Sequence, residues 1–193
     1  VDLSAQAGVD ADAKLQSIRI AQSLAHDPVQ AVRELYQGLA QADMAFVIFF
    51  CSNRYDHQVL AAQMQRQFSQ VTVVGCTTAG EIGPCGYAEH SLVGASFSAD
   101  ACTVAVGLLS DLQQFDAMAG YDFTQNLLRR FEAKAPTADE HNSFGLLLID
   151  GLSVREEPVT RVGYGPILPK NCGPSANWLS CSSSCANKQC AIL

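Results

Sequence analysis

The chain has 193 residues, 48% apolar and only 16% charged, which is enough for a compact core in an ordinary soluble globular fold. Its formal charge is −7 and it has no Lys/Arg cluster, so nucleic acid and anionic membrane surfaces are poor partners. No apolar run reaches the roughly 18 residues of a membrane span, and the start lacks a basic segment leading into an apolar one, so a cytoplasmic setting is expected.

In chain order, residues 1–15 are rich in Ala, Asp and Gly without a period, and read as a loose leader. Ser17–Ala21 alternates weakly, as a first strand would. Asp27-Pro28 is a helix start, with Asp at the cap and Pro at the first helical position. Val29, Val32, Leu35, Tyr36 and Leu39 then recur at helical spacing, which predicts an amphipathic helix over 28–41. Met44–Cys51 (MAFVIFFC) is an unbroken apolar run of strand length, the pattern of a strand covered on both faces. A helix follows over 55–68, then a buried strand at Val71–Val74 and a turn-rich loop with four glycines at Gly75–Gly86. Leu92–Phe97 and Cys102–Leu108 read as consecutive strands. A helix over 117–134 carries Leu127, Leu128 and Phe131 on one face, and Phe144–Ile149 is the last clear strand, closed by Asp150-Gly151. The order β-α-β-α-β-β-β-α-β predicts an α/β domain over 16–161, a mixed sheet with flanking helices, and the sequence shows no internal repeat. Phe46, Val47, Ile48, Phe49, Val73, Val74, Leu147 and Ile149 are expected in its adjacent central strands.

Composition changes near residue 162. The last 32 residues hold two lysines, no acids, and 15 Gly, Pro, Ser or Cys, which predicts a poorly packed tail over 162–193. Cys172, Cys181, Cys185 and Cys190 crowd there. Cys190-Ala191-Ile192-Leu193 fits a prenylation pattern but lacks a polybasic stretch, and the cysteine spacings lack the paired knuckles of strong zinc sites.

The stretch Val74-Gly75-Cys76-Thr77-Thr78-Ala79-Gly80-Glu81-Ile82 carries the chemistry. It leaves a buried strand and enters a glycine loop, where backbone amides and small hydroxyls can converge on a ligand while Glu81 adds a charge. The alternative is a tight turn with a solvated Glu. Cys76 beside two threonines also invites a Cys-dependent enzyme, but no pattern supplies the base a thiolate needs.

GCTTAGEI, followed by Gly86-Tyr87 and Ser91-Leu92-Val93, resembles the central motif of FIST N-terminal domains. Phe49-Phe50-Cys51-Ser52 with Tyr55-Asp56 is similar to that family's strand-to-helix junction, and Leu148–Ser153 with Glu156-Glu157 to its later one. Ser23-Leu24, Asp27-Pro28 and Phe50-Cys51-Ser52 most resemble the nitric-oxide-sensing haemoprotein branch. The resemblance covers residues 16–161. It implies a non-enzymatic sensory domain that binds a small ligand and signals to a histidine kinase or a cyclic-di-GMP enzyme. It also implies a second half, so the chain is expected to be incomplete relative to the family, either truncated or a fragment without ligand binding. Haem is the cofactor implied by that branch. Its axial ligand is unassigned, because His26, His57, His90 and His141 all fall near element ends and on no motif position of that role. Tyr55, Asp56, Thr77, Thr78, Gly80, Glu81 and Asp150 are the expected ligand-binding residues, since all three motifs begin where a strand stops.

Overall fold

In a computed structural model, the described residues are 17–139, 141–150, 153–167, 178–183 and 189–192, with side chains described as far as Val162. They divide into two compact units, Val1–Cys102 and Thr103–Leu193.

In the first unit the chain runs β1 (Ile18–Ser23), α1 (Pro28–Leu39), β2 (Met44–Ser52), α2 (His57–Gln67), β3 (Thr72–Thr78), a short hairpin of β4 (Glu81–Gly83) and β5 (Gly86–Ala88), and β6 (Leu92–Ser98). The sheet order is β1-β6-β2-β3, with β2 and β3 parallel and β6 antiparallel to both of its neighbours. α1 begins as the sequence predicts. Asp27 accepts a bond from Gln30 N at 2.8 Å and Pro28 opens the first turn. Its apolar stripe, Ala31, Val32, Leu35 and Leu39, is fully buried against Val47, Cys51 and Leu92 of the sheet. The helix lies so close to β1 that a Cβ on Gly38 would stand 2.5 Å from that of Ala21.

Because side chains alternate along a strand, Val47, Phe49 and Cys51 share the helix-covered face with Thr77, while Phe46, Ile48 and Phe50 share the other with Val74 and Cys76. Both faces of β2 are therefore apolar, as its unbroken run implies. Phe46 and Val47 are buried, and Ile48, Phe49 and Val73 are half-buried.

The second unit contains β7 (Gly107–Ser110), a 3-10 turn at Leu112–Gln114, α3 (Ala117–Lys134), β8 (Gly145–Asp150), α4 (Glu156–Ile167), β9 (Trp178–Ser183) and β10 (Gln189–Ile192). Its sheet order is β7-β10-β8-β9, with β8 and β9 parallel and β10 antiparallel to β7 and β8. Leu112, Leu127, Leu147, Ile149 and Val159 form its core.

Three expectations need correction. The single sheet is two four-stranded mixed sheets, and Leu147 and Ile149 are buried in the second of them rather than beside β2. The strand read at Cys102–Leu108 forms a ladder only from Gly107. The absence of a repeat also fails at the level of topology. Both units run β-α-β-α-β-β with the same sheet order and the same strand directions, apart from the hairpin inserted in the first. The fold needs only apolar positions at strand and helix spacing, and such a pattern recurs without recurring residues.

Of residues 162–193, read as a poorly packed tail, the described parts are the end of α4 and strands β9 and β10. Cys181 and Cys190 fall in those two strands, while Cys172 and Cys185 lie outside the described residues, as does the leader at 1–15.

Candidate functional site

The polar residues of the first unit gather at one end of its sheet. β2 and β3 are parallel and both stop there, at Ser52 and Thr78, and the antiparallel register brings the end of β1, Ser23, opposite the start of β6, Leu92. The strand ends deliver the chain into three connections at that end: 24–27 into α1, 53–56 into α2, and 79–91 through the hairpin into β6.

Glu81 is the centre of this end. The first residue of β4, it is 2% exposed, so its buried carboxyl oxygens must be held by donors. Thr78 Oγ1 donates to Oε1 at 2.6 Å, and Ser91 donates to Oε2 twice, from Oγ at 2.7 Å and from its backbone N at 3.2 Å. Ser91 Oγ also accepts from Gln22 Nε2 at 3.4 Å, and the same amide bridges the hairpin turn, donating to Gly86 O and accepting from Cys85 N. One carboxylate thereby clasps the end of β3, the hairpin and the start of β6. Ser52 adds a second tie, its N bonding Ser91 O and its Oγ donating to Glu89 O at 2.9 Å.

An aromatic stack lies beside the clasp. The ring of His90 stacks on that of His26 with centroids 4.3 Å apart, and meets Tyr55 edge-on at 4.6 Å. Tyr55 is 3% exposed and donates to Ala25 O at 2.7 Å. Burial, then the negative charge available at Cys51, Glu81 and Glu34, pushes its phenol up to about 12. Burial holds the His90 imidazole below its ordinary value, aided by His26 and Arg54 and opposed by Glu81. His90 is therefore neutral at neutral pH, and its Nε2 is buried without a hydrogen-bond partner. His57 Nε2, in the first turn of α2, is a second such atom.

Five of the seven expected site residues, Tyr55, Asp56, Thr78, Gly80 and Glu81, are brought to this end of the sheet. A Cβ at Gly80 would stand 2.5 Å from the Tyr87 hydroxyl oxygen and 2.6 Å from its ring, so the exposed Tyr87 side chain would have to shift. The Asp56 carboxylate caps α2, accepting from Gln58 N at 3.0 Å and Val59 N at 3.1 Å. Thr77 is buried on the helix-covered face, and Cys76 is buried on the other. Asp150 belongs to the second unit, where it is buried at the end of β8. His90, Ser91, Gln22, Ser52 and His26 were missed as site residues. None has a periodic signal, and only the Ser91 that follows the glycine motif hinted at a role. Among the described residues, no cluster of three or more His, Cys, Asp or Glu is placed to hold a metal ion, and no helix is long and apolar enough to cross a membrane.

Comparison with curated proteins gives no match. Among solved structures the chain is similar to the cyanuric acid hydrolase of A. caulinodans, at 12% identity and a TM-score of 0.45 over 91% of this chain. It spans 65% of the length of that hydrolase chain. The FIST N domain model matches residues 45–167, from β2 to the end of α4, and takes in the β3 end, the hairpin and the clasp. The chain belongs to the FIST N domain family, a family of small-ligand sensory domains.

Proposed function

We propose that this chain is a cytoplasmic, non-enzymatic sensory module. It binds a small ligand at the clasped end of the first sheet and passes the event to a partner enzyme, a histidine kinase or a cyclic-di-GMP enzyme. The observation that carries this reading is the buried, partnerless Nε2 of His90 beside the Glu81 clasp. Buried polar atoms in native folds are paired, and a ligand group is the missing partner. The Glu81 carboxylate already accepts three bonds, which leaves it to position the segment carrying His90 rather than to touch the ligand.

Haem is the ligand class that the sequence resemblance implies. An axial ligand is often an imidazole nitrogen, and the unpaired Nε2 of His90 has that chemistry. His90 would hold the iron, and bound haem would supply an open coordination position for nitric oxide. Movement of His90 would act on Ser91, and through it on Glu81, Gln22 and the hairpin, giving a physical path from ligand to surface. The Cys-dependent enzyme reading draws no such support, since Cys76 is buried within β3.

The test is the visible spectrum of protein purified with haem available. A Soret band that shifts on adding nitric oxide is expected, and His90→Ala should abolish it without changing the far-ultraviolet CD. No band in the parent protein overturns the haem reading. A band that survives His90→Ala moves the ligand away from this site.

A further inference from the structure

His90 presents Nε2 in one direction only while its ring plane is fixed, because an imidazole nitrogen donates and accepts in that plane. The torsion that sets the plane has a broad potential, so packing has to hold it. Two rings do. His26 covers one face of His90, with centroids 4.3 Å apart and planes 23° from parallel, and Tyr55 stands at 71° to it with centroids 4.6 Å apart. His26 is exposed, and an exposed side chain ordinarily changes rotamer freely. Here the backbone on both sides of it is pinned. Ala25 N donates to Ser23 Oγ at 3.2 Å, and that buried hydroxyl donates in turn to Glu34 Oε2 at 2.6 Å. Ala25 O accepts the Tyr55 hydroxyl at 2.7 Å. Asp27, on the other side, caps α1 through Gln30 N, and its carbonyl accepts from Ala31 N at 2.9 Å. Tyr55 thus acts twice, its hydroxyl holding the segment that carries His26 and its ring packing on His90.

We propose that His26 is a positioning residue of the ligand site. On the reading that His90 holds the ligand, the His26 ring, stacked from a pinned backbone, sets the imidazole plane and the direction of Nε2 before a ligand arrives. The Glu81 clasp holds the backbone next to His90, through Ser91, and leaves the His90 side chain free to turn. The stack supplies what the clasp lacks. A ring set in place beforehand spares the ligand the cost of ordering it, and the saving appears as affinity. Stacking needs an aromatic face and no nitrogen, so another flat ring of similar size can take the part of His26.

Proton resonances of the His90 ring, assigned against His90→Ala, read the stack in the protein without ligand. They should lie upfield in the parent protein, move towards the position of a solvated imidazole in His26→Ala, and return upfield in His26→Phe. Hemin titration, followed in the visible spectrum, should show affinity falling about three- to tenfold in His26→Ala, the range of one aromatic pair, with most of the loss recovered in His26→Phe. Tyr55→Phe, which keeps the ring and drops the hydroxyl, should weaken binding in the same direction. Adding it to His26→Ala should cost less than the sum of the two, since both changes release one plane. Equal losses in His26→Ala and His26→Phe make a His26 nitrogen the acting group and overturn the proposal. So do His90 resonances indifferent to His26→Ala, full hemin affinity in that variant, or additive effects with Tyr55→Phe. If the parent protein takes up no hemin, the haem reading fails by itself, and the His90 resonances alone decide whether His26 sets the ring.

Discussion

Replacing Glu81 with alanine tests whether the carboxylate is the clasp that fixes this end of the first sheet. The loss removes the acceptor for three donors, Thr78 Oγ1, Ser91 Oγ and Ser91 N. A bond to a charged acceptor contributes about 1.5–3 kcal/mol, and a buried donor left unsatisfied costs about 1–3 kcal/mol. Two of the three donors are hydroxyls that rotate to other acceptors, whereas the Ser91 amide cannot. The expected destabilisation of the local structure is therefore about 3–5 kcal/mol, less than the plain sum of three bonds. Glu81→Gln should cost only about 1–2 kcal/mol, because its amide oxygen still accepts from Ser91 and the Thr78 hydroxyl can turn to accept from the new NH2. With two compact units the chain need not unfold in one step, so a global midpoint would blur the effect. Amide hydrogen exchange at Ser91–Val93 and across the hairpin reads it locally. Glu81→Ala should speed exchange there by about a hundredfold or more, and Glu81→Gln by about tenfold, with α3 and β8 unaffected. A change under about fivefold in Glu81→Ala, or equal effects of the two variants, refutes the clasp.

Two further outcomes concern its neighbours. Asp56→Ala should cost about 1 kcal/mol through loss of the α2 cap while leaving ligand affinity unchanged, measured by denaturant unfolding beside a binding titration; a selective loss of affinity would return Asp56 to the ligand site. Tyr55 should ionise at about 12. Below the ordinary tyrosine value of about 10 the phenol is protonated in folded and unfolded chains alike, and its contribution is fully present. As pH rises from there towards 12 the unfolded chain ionises first, so stability falls across that window. The difference in phenolate absorbance between the parent protein and Tyr55→Phe locates the transition, and ionisation near 10 would mean that the phenol is solvated.

Much of the first unit was legible because its signals are local. Asp27-Pro28 fixes the start of α1, and the stripe Val32, Leu35, Leu39 fixes its buried face. The run Met44–Cys51 fixes β2. The hairpin was not legible, because three-residue strands are too short to show alternation, and the outward pair Ile82 and Tyr87 is exposed rather than buried. Within the site, Glu81 and Thr78 stood out by residue type in a glycine loop. The donors that hold Glu81 did not, since Ser91 reaches it from ten residues away and Gln22 reaches Ser91 from the neighbouring strand β1, distant in sequence. Such pairings arise from the β1-β6-β2 order, which no window of sequence contains.

The shared topology of the units explains why two of the three motifs look alike in kind. Ser52 and Asp150 each end the central strand of their sheet, and each stands opposite the last residue of the parallel edge strand, Thr78 or Ser183. Each strand end then makes the same turn: Tyr55 N bonds Ser52 O, and Ser153 N bonds Asp150 O, three residues on in both cases. A helix follows at once, α2 from His57 and α4 from Glu156. The two strand-to-helix junctions are thus one structural device used twice. Asp150 was grouped with Tyr55 and Glu81 because its motif also begins where a strand stops, and its structural counterpart is Ser52. In the first unit that position is a serine, whose hydroxyl ties the strand end to Glu89 and whose backbone N bonds Ser91 O. The hairpin and its carboxylate clasp are inserted between the last two sheet strands of the first unit, and turn a junction both units share into a candidate sensor.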